Sequence, residues 1–332
     1  MKWRLAFVSL LVAAAVTGCE SVSYYSQAIG GQLSLFARSR PVEDWLSDPA
    51  TAPQLRSRLL KAKGIREFAS RSLALPDNGS YHSYAQLDRP YVVWNVYAAG
   101  EFSVEAKQEC FPFAGCVSYR GFFSEEEAKR HAETLRKQGY DVYVGGVAAY
   151  STLGWFDDPL LSTFIGFSDT QLARLVFHEL AHQKVYARND TGFNESFAVT
   201  VEEEGVRRWL ETEGRGAELE AFRAAQARKR EFAARVKQAR ERLASLYAVG
   251  GSKDALAEQK RGEFDRLRAS YPGIVPAEAN NAFLVSIALY TEMVPAFERL
   301  LAACNGDLPE FYRRATKIGA LPKDERPLAL AH

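Results

Sequence analysis

Five consecutive residues, His178-Glu179-Leu180-Ala181-His182, have the types and spacing for hydrolytic metal chemistry. In a helix, positions i and i+4 share a face, so the two imidazoles can bind one zinc ion. Glu179, one position along, is then close enough to act as a general base on water at that metal. With five His and 41 acidic residues in 332, such a match arises by chance in about one chain in a hundred of this composition. A third ligand is available in Asn194-Glu195-Ser196-Phe197-Ala198, after the turn Asn189-Asp190-Thr191-Gly192. Asn194 reads as an N-cap, which puts Glu195 in the first turn of a second helix. A two-helix hairpin of this length can bring Glu195 back against the histidine pair. Two His and one Glu leave the fourth position of zinc open, as a hydrolase requires. The alternative for Glu195 alone is an acidic residue favoured by the helix dipole. Glu202 is seven residues further on the same face. It either orients a histidine from behind or belongs to the solvated run Glu202-Glu203-Glu204.

These residues need elements to hold them. Ser168 and Gln171 have capping-box spacing, which places the histidine motif about two and a half turns into a helix. Upstream, Tyr91 to Tyr97 is a β-branched and aromatic run, and Cys116 to Phe123 reads as a second strand. Ser124 and Glu127 open a helix that runs to about Lys137, where Gly139 stops it. Tyr140 to Tyr150 is strand-like, with Gly145-Gly146 expected as a bulge. From Ser168 onward the pattern is almost entirely helical. Residues 214–270 are rich in charge and alanine, break at Gly250-Gly251 and restart after Ser252, the pattern of a long, partly solvated antiparallel hairpin. An apolar helix is expected from about Asn280 to Leu301.

The N-terminal segment reads as a targeting signal. Lys2 and Arg4 precede Leu5 to Val16, apolar except for Ser9, and then Val16-Thr17-Gly18-Cys19. Twelve helical residues rise only about 18 Å, too short for a hydrocarbon core of about 30 Å. The small residues before Cys19 resemble the lipobox of bacterial lipoproteins, in which that cysteine is acylated; an ordinary secretory signal is the alternative. Glu20, rather than Asp, follows the cysteine, which points to the outer membrane of a Gram-negative cell, facing the periplasm. Cysteine usage fits an oxidising compartment: Cys110 and Cys116 bracket a five-residue loop, and a local disulfide is the natural reading; a zinc pair is the rival, but nothing nearby supplies two further ligands. Cys304 reads as a buried free thiol.

Composition bounds the remaining function classes. The chain is 47% hydrophobic and 25% charged with a formal charge of +1, which excludes a disordered chain and indicates no nucleic-acid partner. The sequence carries no Ser-His-Asp signature, P-loop or dinucleotide fingerprint.

Together the HExxH and NExxA segments resemble the gluzincin metallopeptidases. Further stretches narrow the likeness: Tyr24-Tyr25-Ser26-Gln27-Ala28, Phe111 to Gly121, and Ala149 to Phe156. These are similar to a family of bacterial lipoproteins assigned as zinc aminopeptidases, over roughly residues 19–210. The resemblance implies an α+β, zincin-like core with a small mixed sheet, one zinc per chain and a peptide or protein substrate. It implies substrate backbone pairing with an edge strand, for which residues 142–150 are the candidate. It also implies a Tyr or His that stabilises the oxyanion from a later helix, a role Tyr290 can fill. One departure stands out: the strand Val144 to Tyr150 lacks the carboxylate that would hold a substrate amine; Asp157 and Asp158, shortly after, either substitute for it or, with Asp158 before Pro159, serve a turn.

The expected organisation is a leader at 1–18, an anchor-proximal helical segment at 19–75 and an α+β zinc region at 76–213. The hairpin at 214–270 and a helical part at 271–332 that completes the site follow. Three functions fit this layout: a zinc aminopeptidase, an envelope endopeptidase or processing factor, and a non-enzymatic lipoprotein whose hairpin binds a protein partner.

Overall fold

A computed structural model describes residues 24, 26–111 and 115–331. The expected leader at 1–18 and the expected lipidation site, Cys19, lie outside the described residues. The architecture is α+β, with short strands set into a mainly helical body.

Helix α1 (residues 26–38) leads into β1 (Ser39–Pro41), α2 (Val42–Ser47) and the long α3 (Pro53–Leu73), which Pro53 opens at its first turn. β1 pairs antiparallel with β2 (Ser83–Ala85), and β2 pairs parallel with β8 (Leu160–Leu161). Residues on both sides of position 75 therefore share one sheet. They also share one core, in which Leu59, Ile65 and Leu73 of α3 pack with residues as distant as Phe311 and Leu330.

The second sheet has the order β6-β3-β7, all antiparallel, and forms the wall of the site. β3 spans Val93–Gly100, β6 Arg120–Phe122 and β7 Tyr140–Val147. Alternation along β3 divides its side chains. Trp94, Val96 and Ala98 pack on α4 (Glu125–Lys137) with Phe122, Ala132 and Leu135, which leaves Val93, Asn95 and Tyr97 for the opposite face. Both faces of β3 are thus covered, which is why the run reads as continuously apolar.

Three strand expectations are corrected here. The run Cys116 to Phe123 is two strands in different sheets, because β5 (Gly115–Val117) folds back on β4 (Glu109–Phe111) with Cys110 opposite Cys116. The chain then turns at Ser118-Tyr119 before β6. The second correction concerns Gly145-Gly146, which form no bulge. They pair in unbroken register with Asn95 and Trp94, and Gly146 is required because a Cβ there would lie 2.3 Å from the Tyr91 ring. The third is the length available to substrate on 142–150. The Asn280 side chain donates to the Val142 carbonyl and the Thr163 hydroxyl to the Ala148 carbonyl, so the open edge is shorter.

The two-histidine helix α5 (Asp169–Lys184) packs along α6 (Thr191–Thr212) and on α3. α7 (Gly216–Val249) and α8 (Lys253–Ser270) form the hairpin. Val236 and Leu243 meet Phe264 and Leu267, and the Lys260 ammonium pairs with Asp141 at 2.6 Å, so the hairpin is fastened to β7. The expected single helix at 280–301 is two: α9 (Asn281–Leu289) and α10 (Val294–Ala303). Pro295 in the first turn of α10 explains the break, since it has no N–H to donate to the carbonyl four residues back and its ring crowds that preceding turn. α11 (Leu308–Gly319) and α12 (Arg326–Ala331) close the chain. Cys304 is a buried free thiol. Among the described residues no helix is long and apolar enough to cross a membrane.

Candidate active site

The Ser168 hydroxyl caps α5 by accepting from the Gln171 amide at 3.3 Å. Helical period then stacks Arg174, His178 and His182 in one column along the helix. The His178 and His182 rings meet edge to face at 4.8 Å, with their Nε2 atoms 3.2 Å apart.

The second helix starts earlier than the sequence suggested. Its N-cap is Asp190, whose carboxylate accepts from the Phe193 amide at 3.1 Å and pairs with Arg326 at 2.9 Å. Asn194 lies inside α6, where its side chain clamps Ala187, accepting from that residue's N–H at 2.7 Å and donating to its carbonyl at 2.9 Å. This clamp fixes the α5–α6 connection and sets Glu195 in the second turn rather than the first. Its Oε2 lies 3.3 Å from His178 Nε2 and 3.6 Å from His182 Nε2.

One potential ligand atom from each of His178, His182 and Glu195 lies within 4.8 Å of the others. Two imidazole nitrogens and a carboxylate oxygen, converging in a mostly buried place, are a donor set that suits zinc. Burial raises the Glu195 carboxyl, but the facing histidines outweigh it and hold the group at about 2. Behind His178, the Glu202 carboxylate lies 2.9 Å from Nδ1 and 2.5 Å from Arg174 Nε. Its side chain is only 1% exposed, so it is not part of a solvated run. Burial raises Glu202 as well, and Arg174 and His178 together bring it to about 2. The second nitrogen of His182, Nδ1, is buried without a hydrogen-bond partner among the described residues, so His178 is the more firmly oriented of the pair.

Glu179 is buried and lines the same cavity, of about 430 Å³, as His178, His182 and Glu195. Burial raises its carboxyl above the usual range, opposed by the positive charge that His178 and His182 can carry. A larger, more open groove of about 900 Å³ lies along α3 and the end of α6, and among the described residues its lining includes no histidine or cysteine. The cavity at the histidines, with its convergent titratable groups, is the better candidate site.

Tyr290 follows α9 directly and stacks on His178 with ring centroids 6.4 Å apart. Its hydroxyl is hydrogen-bonded to that of Tyr97, whose own hydroxyl burial pushes up to about 12. The disulfide Cys110–Cys116 closes the β4–β5 hairpin. Asn189 Oδ1 accepts from the Cys116 amide at 2.8 Å and Thr191 Oγ1 from the Ser118 amide at 3.3 Å, which docks the hairpin on the α5–α6 connection. Val117 and Tyr119 thereby reach the cavity wall.

Several lining residues were not singled out from the sequence: Asn95, Tyr119 and Tyr186 in the cavity, and Tyr97 and Arg174 behind it. Arg174 carried a usable signal, lying one turn before His178 on the same face. Tyr119 carried another, three residues beyond a bridged cysteine. Of the two readings of Asp158, amine anchor or turn residue, the structure shows the turn residue. It is buried, and its carboxylate accepts from the Thr152 amide at 3.0 Å and from Gln183 at 3.4 Å.

Comparison with curated proteins and with solved structures returns no match. A family model described as "Putative aminopeptidase" matches residues 23–330, a span that holds the two-histidine helix, Glu195 and Tyr290. The chain therefore belongs to that aminopeptidase family.

Proposed function

We propose that the chain is a zinc-dependent peptide hydrolase of gluzincin type, acting as an aminopeptidase, with His178, His182 and Glu195 holding one zinc ion. The observation that carries this reading is the convergence of those three side chains in one cavity with Glu179 beside them. Membership of an aminopeptidase family supports peptidase activity in general. Zinc in this donor set would supply Lewis acidity, polarising a carbonyl and lowering the pKa of water to about 7.

The protein's own groups then divide the work. Glu202, fixed by Arg174, accepts from His178 Nδ1–H and so keeps the Nε2 lone pair directed at the shared space. Glu179 takes the proton from the attacking water on its carboxylate and passes it to the leaving amine. Tyr290 offers its hydroxyl to the substrate oxygen as charge develops there. The largely apolar walls, Val93, Val117, Val147, Ala149 and Leu153 among them, exclude water and favour apolar substrate side chains. In the cell, acylated Cys19 anchors the chain to the periplasmic face of the outer membrane.

One observation favours a second reading, an endopeptidase acting on envelope proteins. Among the described residues lining the cavity, the only carboxylates are Glu179 and Glu195, and neither is spare to hold a substrate amine. A peptide panel with free and blocked N-termini, assayed with and without chelator, distinguishes the two. Chelator-sensitive cleavage confined to free N-termini supports the aminopeptidase, and equal cleavage of blocked peptides supports the endopeptidase. Cleavage that survives complete zinc removal overturns both.

A further inference from the structure

Residues 21–37 contain no charged side chain, although a quarter of the whole chain is charged. Much of this stretch is helix α1, and its two faces differ. The inner face lies on Phe123: Leu35 is buried, Gln27 Oε1 accepts from the Phe123 amide at 3.0 Å, and a Cβ on Gly31 would lie 2.2 Å from the Phe123 ring. On the outer face Ile29 and Leu33, four residues apart, are 59% and 60% exposed. One turn on, the Phe36 ring meets Phe156 at 5.2 Å, and the adjoining Trp155 is 73% exposed.

We propose that the outer face of α1, with Trp155 and Phe156, rests on the surface of the lipid bilayer that holds Cys19. Single exposed apolar residues need no explanation, but an uncharged stripe continued by a tryptophan marks an interaction surface. The occupant follows from chain length. Cys19 and Tyr24 are five residues apart, a span of at most about 18 Å fully extended. Acyl chains on Cys19 therefore keep the start of α1 within that distance of the headgroups. A helix with an apolar face and an indole beside it fits the headgroup–acyl boundary. Tyr24 and Ala28 on the inner side of this segment, and Leu153 before Trp155, line the active-site cavity. Docking therefore places the mouth of the cleft beside the membrane, where the substrate is polypeptide presented at the bilayer surface. The proposal rests on the lipid-anchor reading of Cys19 and is independent of the zinc chemistry.

The test uses the acylated full-length protein in vesicles of phosphatidylethanolamine and phosphatidylglycerol carrying a nitroxide-labelled lipid. The Trp155 signal is read as the difference between wild type and Trp155→Phe, and intact mass reports acylation. Lipid quenching of Trp155 is expected, and it should be lost in Ile29→Glu/Leu33→Glu protein that remains acylated and vesicle-bound. Trp155 quenched by aqueous acrylamide but not by lipid overturns the docking while leaving the anchor intact. Trp155 shielded from both quenchers overturns it in favour of a protein partner or a second copy. An unacylated Cys19 overturns the anchor reading, and the docking falls with it.

Discussion

Replacing Glu202 with glutamine keeps the side chain's shape and removes its charge. The carboxylate now accepts from two donors, His178 Nδ1 at 2.9 Å and Arg174 Nε at 2.5 Å. Glutamine has one acceptor oxygen and one donor amide, so it can satisfy only one of them. The oxygen should stay with the permanently charged Arg174. The amide then faces Nδ1 and favours the tautomer protonated on Nε2, the atom that points at Glu195 and His182. A histidine so protonated offers no lone pair to a metal. Loss of such a supporting partner typically costs 10–100-fold in metal affinity, about 1.4–2.8 kcal/mol. Zinc affinity measured by chelator competition should fall by that factor in Glu202→Gln. It should be unchanged in Glu203→Gln, whose carboxylate pairs with Arg230 at 3.1 Å instead. Wild-type zinc affinity in Glu202→Gln would show that Glu202 does not set the His178 tautomer.

Three further outcomes follow from the geometry. Tyr290→Phe should lower kcat by about 10²–10³ with little change in KM; an equal loss in Tyr119→Phe, with Tyr290→Phe unaffected, would transfer the role to Tyr119. Burial raises Asp158 from 3.8 to about 6, so between roughly pH 4 and 6 the folded state binds more protons than the unfolded state, and this residue's contribution falls as pH rises. Asp158→Asn should then be more stable than wild type at pH 7, by up to about 3 kcal/mol, with the gap closing towards pH 4 in chemical denaturation; a gap independent of pH would contradict this. Reducing Cys110–Cys116, which frees a short loop, should cost about 2 kcal/mol and raise KM by loosening Val117 and Tyr119 at the cavity wall; unchanged KM in reduced, still folded protein would count against that positioning.

The zinc-motif helix was legible because its signals are local: a serine cap, helical period and two histidines four apart. Where α6 begins was not. Asn194 and Asp190 are both good caps, and the choice is made by Arg326, 136 residues away in sequence. The same limit hid the reason for Gly146, since the Tyr91 ring that fills its space is contributed from outside the strand. The division of Cys116 to Phe123 between two sheets follows from the turn back to Cys110, which strand propensity does not register. Pro295 did carry the signal for the break after α9, and a helix drawn through to Leu301 overlooked it. Glu202 was undecided in sequence because an acidic triplet is usually solvated. Only the burial of its side chain beside His178 and Arg174 decides its environment.

The most direct measurement compares two chemically identical substitutions for both zinc content and peptide hydrolysis. Glu179→Gln removes a proton acceptor beside the three proposed ligands, and Glu195→Gln replaces one of them. Glu179→Gln should keep one zinc per chain while hydrolysis falls by about 10²–10⁴, the usual cost of a lost general base. Glu195→Gln should bind zinc more weakly, because a neutral amide is a poorer ligand than a carboxylate. Undiminished turnover in zinc-loaded Glu179→Gln would rule out Glu179 as the general base and, with it, the hydrolase reading.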